Sequence, residues 1–174
     1  MPANRKNFIK IIFSSVLGFN FLPNISKAKN INQLTISENP KLDVELVKSF
    51  VASCHGNFVK VKELYEKEPL LIFSSHDWGN GDFENGIEAA GHTGHPDIVQ
   101  FLLEKGARIN FFTLCMLGDL ETVSKLLKDF PFMVNAKGPH GLTPLHHAIQ
   151  GGEKSAEIKK LLEKLGATET KIKL

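Results

Sequence analysis

A chain of 174 residues, 42% hydrophobic and 23% charged, is long enough for one ordinary domain with an appendage and has neither a disordered nor a collagen-like composition. A formal charge of +2 is too small to suggest a nucleic-acid binder, which usually carries a clear basic patch, so no nucleic-acid partner is expected. The charge is also unevenly placed: Arg5, Lys6, Lys10 and Lys27 stand in residues 1–28 without an acid, which leaves the body mildly acidic.

The first element in chain order has the layout of an export signal. Arg5 and Lys6 form a positive start, and Ile11 to Leu22 is a mostly apolar run too short for a comfortable transmembrane helix. Pro23 then precedes Ser26 and Ala28, small side chains suited to a cleavage site. The stretch "NRKNFIK" resembles the twin-arginine signal at Arg5, Phe8, Ile9 and Lys10. Lys6 stands where the second Arg belongs, and an ammonium lacks the planar donor fork of a guanidinium. A removed leader over 1–28 and a linker over 29–42 are expected. The protein is then a periplasmic or secreted bacterial one, with no membrane contact in its mature form. The alternative is an uncleaved amphipathic helix packed on the body.

From Asp43 the pattern turns helical, and it recurs. "VELVKSFVASCHGNFVKVKELYEKEP" (44–69) carries a faint helix-glycine-helix phrase, repeated in "NGIEAAGHTGHPDIVQFLLEKGARIN" (85–110) and "FFTLCMLGDLETVSKLLKDFP" (111–131). The clearest copy is "GLTPLHHAIQGGEKSAEIKKLLEKLGA" (141–167). There Thr143 is an N-cap, Pro144 fits the first helical position, and Gly151-Gly152 stops the helix. A second helix follows with Ile158, Leu161, Leu162 and Leu165 on one face. Thr-Pro-Leu-His, a glycine turn and Ile-x-x-Leu-Leu-x-x-Gly-Ala together resemble the ankyrin repeat.

That resemblance covers about residues 43–168 and implies an all-α solenoid of about four stacked helix-turn-helix repeats, because one hairpin cannot bury its own apolar face. The repeats are placed at 43–75, 76–108, 109–134 and 135–168, with a tail over 169–174. Their turn glycines Gly56, Gly94, Gly118 and Gly152 lie 38, 24 and 34 residues apart, against about 33 for the family. The finger loops are therefore short or irregular: one is lengthened by "LLIFSSHDWGNGDF", the next is cut short. Cys54 and Cys115 fall two repeats apart, beyond disulfide reach, and are expected as free thiols.

Chemistry has few footholds. His76, Asp77, Asp82, Glu84, Glu88, His92 and His95 gather within 74–95, but their spacing matches no metal-ligand motif, so no metal and no cofactor are expected. Cys54 and His55 are neighbours on a helix and point apart, and no phosphate-binding glycine loop or serine elbow occurs. A non-enzyme is expected, with a metal-dependent hydrolase on residues 76–95 as the alternative. The resemblance implies structural roles for Gly94 and His95 at a turn, for Gly118 and Gly152, and for Thr143, Pro144 and His146, the last bonded to Thr143 or nearby backbone. His147, next in sequence, is placed on another face, solvated or at a groove.

Binding another protein is the remaining use, by a monomer, whether as a scaffold or accessory protein or as a secreted effector or immunity-type protein. Candidate contacts are Asp77, Trp78, Asp82 and Phe83 in the inserted loop, with His140 and His147. Trp78 serves either loop packing or a partner. Phe111, Phe112, Phe130 and Phe132 are expected to fill space between repeats, and Lys159, Lys160 and Lys164 to form a solvated back.

Overall fold

The computed structural model describes residues 41–174. The expectations for the leader, with Arg5, Lys6, Phe8 and Lys10, and for most of the linker lie outside the described residues. The described residues form one compact unit.

Eight α-helices occur among the described residues: α1 (Val44–Ser53), α2 (Phe58–Lys67), α3 (Gly86–His92), α4 (Pro96–Glu104), α5 (Phe111–Leu117), α6 (Leu120–Asp129), α7 (Pro144–Gln150) and α8 (Ala156–Lys164). Each odd-numbered helix packs on the even-numbered one that follows it. The expectation of an all-α chain needs one correction. The inserted loop holds a two-stranded antiparallel hairpin, β1 (Ser75–Asp77) and β2 (Phe83–Asn85), with His76 opposite Glu84.

Short polar residues start the helices by accepting hydrogen bonds from first-turn backbone N–H groups that have no partner within the helix. Asp43 caps α1, Asn57 α2, Asn85 α3, Asn110 α5, Asp119 α6 and Thr143 α7, the last with Pro144 at the first position. At Asn85 the cap is reciprocal, because Glu88 accepts from the Asn85 N–H. The four turn glycines all have positive φ. Gly118, at φ 83°, could not carry a Cβ, which would collide with the Lys154 carbonyl oxygen.

The stack runs α1 on α3, α3 on α5 and α5 on α7. Only residues 105–110 separate α4 from α5, and α7 reaches back to touch α3 as well. Apolar side chains bury themselves in two clusters. Phe50, Val51, Val61, Leu71, Ile98, Val99 and Leu102 form the first, and Cys115, Val123, Leu127, Ile158 and Leu162 the centre of the second. Both cysteines are buried free thiols, as the repeat spacing required. None of the described helices is long and apolar enough to cross a membrane.

Two expectations fail here. Phe111 is buried, but Phe130 and Phe132 are 46% and 77% exposed and lean on each other edge to face. The 3-10 turn Pro131–Asn135 carries them past the end of α6 instead of between helix pairs. Leu165 is exposed, because α8 ends at Lys164 and releases it. The tail over 169–174 is hydrogen-bonded to the start of α7: Thr143 N–H donates to Thr170 O, Thr143 Oγ1 to Glu169 O, and Ile172 N–H to Gly141 O.

Candidate functional site

The inserted hairpin positions the candidate site. Its tip turns through Gly79, Asn80 and Gly81, all at positive φ, which glycine and asparagine tolerate. Asp77 Oδ1 accepts from Gly79 N–H, and Trp78 N–H donates to Asp82 O, which closes the turn. Strand alternation then divides β2: Phe83 points outward and is 59% exposed, while Glu84 is fully buried.

Glu84 is the hub of what lies beneath. His92 Nε2–H, at the end of α3, donates to Glu84 Oε1 at 2.7 Å, and the Trp78 indole N–H donates to Oε2 at 2.9 Å. His55 Nε2, just past the end of α1, stands 3.4 Å from Oε2, and His140 Nε2 stands 3.5 Å from Oε1. One ligand atom from each of His55, Glu84, His92 and His140 lies within 4.8 Å of those of the other three. Burial pushes the Glu84 carboxyl up, but the His92 hydrogen bond, the attraction of the His55 and His92 rings, and the Trp78 indole outweigh it and hold it below the usual carboxylate range.

The rings are held from behind. His55 Nδ1–H donates to Val51 O at 3.1 Å. Asp82 clamps His140 twice, its two carboxylate oxygens accepting from the His140 backbone N–H and from Nδ1–H, both at 2.7 Å. These bonds outweigh the upward push of burial and hold Asp82 below its usual range. His140 adopts φ 59°, a left-handed conformation that costs a non-glycine residue about 1–3 kcal/mol and persists only where neighbours impose it. The same clamp places the ring edge toward Glu84.

The residues singled out from sequence are dispersed by this geometry. Asp77 and Phe83 are exposed and Trp78 is 38% exposed, on the outer side of the hairpin or its rim. Asp82 and His140 face each other. His147 is a correction: it is 1% exposed, with Nδ1–H donating to Thr143 O, because α7 is covered by α5, α8 and α3 and keeps no solvated face at that position. Its Nε2 is buried without a partner, and burial lowers its pKa to about 4. His146 Nε2–H donates to His92 O at 2.9 Å, tying α7 to α3.

His76 lies edge-on against Trp78, Glu88 serves the α3 cap and accepts from the Asn110 side chain, and His95 packs against Gly56. None of these three joins the cluster around Glu84. The expectation of no metal considered the spacing within 74–95, whereas the structure brings in His55 and His140 from outside that stretch. The one sequence clue to His55 is its place beside a turn glycine. The thiols offer no nucleophile: burial, aided by the Glu84 charge, raises the Cys54 pKa, and burial pushes Cys115 up to about 12.

Comparison with known proteins agrees with the helix pairs. The ankyrin-repeat family model matches residues 87–114, from the first turn of α3 into α5. Among curated proteins, alpha-latrotoxin-Lhe1a of Latrodectus hesperus is 31% identical over 81 residues, covering 41% of this chain and 6% of the toxin. Alpha-latrotoxin-Lt1a of Latrodectus tredecimguttatus is 32% identical over 81 residues, with the same coverage. Alpha-latrotoxin-Lg1a of Latrodectus geometricus is 29% identical over 101 residues, covering 51% of this chain and 7% of the toxin. The chain thus spans 6 to 7% of the length of the relatives it matches. The match at 87–114 identifies an ankyrin repeat in the middle of the helical stack.

Proposed function

We propose that the four helix pairs act as a short ankyrin-type array that binds another protein without catalysis, as a monomer, using the outer face of the inserted hairpin. Ankyrin repeats are protein-interaction modules, and the matched repeat lies at the centre of the stack. The observation that carries the reading is the fastening of the hairpin: Phe83 and Trp78 are offered to solvent while Asp82 and Glu84 lock the strand behind them. Exposed aromatics on a rigid support make good anchors, because little conformational freedom is lost on binding.

A photo-crosslinking amino acid at position 83 tests this in the native cell. One discrete adduct is expected from position 83 and none from position 160, on the exposed back of α8. Identical adducts from both positions would remove the hairpin from the interface. Light scattering of the purified chain checks the monomer.

The matched relatives are toxins by name, which favours as a second reading an effector or immunity-type role. Both readings place the protein outside the bacterial cytoplasm, as a periplasmic or secreted protein, on the strength of residues 1–28 and the near twin-arginine stretch. Intact mass and cell fractionation, with and without Arg5→Lys, separate an exported mature chain from a full-length cytoplasmic one.

A further inference from the structure

We propose that His55, His92, His140 and Glu84 bind one zinc-class divalent cation, which fastens the hairpin to α1, α3 and the turn before α7. The first support is an electrostatic conflict among fixed groups. The Nδ1–H of His55 is taken by Val51 O and that of His140 by Asp82, so both rings turn Nε2, which carries a lone pair in the neutral imidazole, toward the buried Glu84 carboxylate, at 3.4 and 3.5 Å. Lone pairs facing a carboxylate repel unless positive charge sits between them. No Lys or Arg is paired with Glu84 among the described residues; its ion-pair neighbours are these three histidines.

Protons could supply the charge only by crowding imidazolium rings together. The ring centroids of His55 and His92 are 4.9 Å apart, those of His92 and His140 5.3 Å, and those of His55 and His140 6.4 Å. A single divalent ion satisfies all three rings and the carboxylate at once.

The dimensions fit such an ion. Four donors about 2.0–2.1 Å from a tetrahedral zinc stand about 3.3 Å apart. Glu84 Oε1 stands 2.7 Å from His92 Nε2 and 3.5 Å from His140 Nε2, His55 Nε2 stands 3.4 Å from Oε2, and one ligand atom from each residue falls within a 4.8 Å set. Three imidazoles with one carboxylate suit zinc and its transition-metal neighbours and are poor for magnesium or calcium, which take oxygen. The outer contacts match as well: carbonyl- and carboxylate-bonded Nδ1 atoms fix the tautomer that leaves Nε2 free, and the Trp78 indole holds the second Glu84 oxygen. His55 and His140 are 29% and 26% exposed, which leaves a path for the ion to enter, and binding it displaces the His92 Nε2 proton to solvent.

The test uses the full chain without a histidine tag, stripped with chelator and titrated with zinc or magnesium chloride by calorimetry. Metal content of the untreated protein is measured alongside. The expected result is one zinc per chain, no response to magnesium, and at least a hundredfold weaker binding in His140→Ala and in Glu84→Gln. His76→Ala, outside the cluster, should bind as the parent does. Cobalt should give a visible spectrum of tetrahedral type, lost in the same two variants. If His140→Ala does not give a parent-like circular dichroism spectrum, His55→Gln, also at a partly exposed ring, takes its place. A folded parent that binds no zinc, or binding that the cluster variants leave unchanged, would overturn the proposal.

Discussion

Between α2 and α3 the chain places a 3-10 turn and a hairpin, residues 68–85, whereas between α4 and α5 it places only residues 105–110. The long junction is anchored at its 3-10 turn by Leu71 in the first apolar cluster, but its hairpin is held by polar groups: Glu84, its histidines and the Asp82–His140 clamp. The short one brings neighbouring helices into direct apolar contact, with Phe111 and Cys115 buried against the last helix pair. An insertion too small to build its own apolar core is fixed by directional bonds, and a deletion is absorbed by closer packing. Across the short junction α7 also touches α3, and His140, just before α7, lies against the hairpin.

Core truncations on each side give the largest expected effect. Phe50→Ala in the first cluster should cost about 3–5 kcal/mol and Leu162→Ala in the second about 2–5 kcal/mol. Urea unfolding followed by two probes decides how separate the halves are. A single shared transition means the short junction couples the two clusters, and two transitions would divide the array there.

Acid should strain the second half next. His147 has a folded pKa of about 4 against an ordinary 6.5, so the unfolded chain takes up the proton first. Its contribution is present in full above pH 6.5 and lost progressively as pH falls toward 4, up to about 3 kcal/mol. The stability difference between the parent and His147→Gln, measured across that range, should shrink accordingly. Two smaller changes probe the hairpin and a turn just beyond the short junction. Asp82→Asn weakens a charge-assisted clamp at the hairpin and should cost about 1–3 kcal/mol. Gly118→Ala, between α5 and α6, meets left-handed backbone and the Lys154 carbonyl, for about 1–3 kcal/mol of backbone strain before any collision is relieved. The smallest effect is expected at Phe132→Ser, within about 0.5 kcal/mol, because that ring is 77% exposed.

What sequence made legible was local. Thr143-Pro144 announces the start of α7 because a hydroxyl cap and a proline without an N–H suit that position, and the four glycines mark turns that need positive φ. His147 was misplaced because a helical wheel assumes one free face, and α7 is enclosed by α5, α8 and α3. The Glu84 cluster was illegible for a different reason. Helical or strand periodicity relates residues a few positions apart, whereas His55, Glu84 and His140 come from the end of α1, from β2 and from the turn before α7, and meet only in the folded chain. Asp82 and Phe83 were both candidate contacts, yet Asp82 is turned to His140 while Phe83 faces solvent, a division that shows only once His140 is placed.

The Asp82–His140 clamp joins positions 58 residues apart. During synthesis the hairpin and α3 leave the ribosome well before residue 140 exists, so the hairpin cannot be fastened while the first half folds. The aromatic tip and the buried carboxylate must wait for a segment made much later. Any partner that recognises the clamped hairpin therefore recognises completed chains, and an interrupted chain ending before His140 would present the same residues without the fixed arrangement.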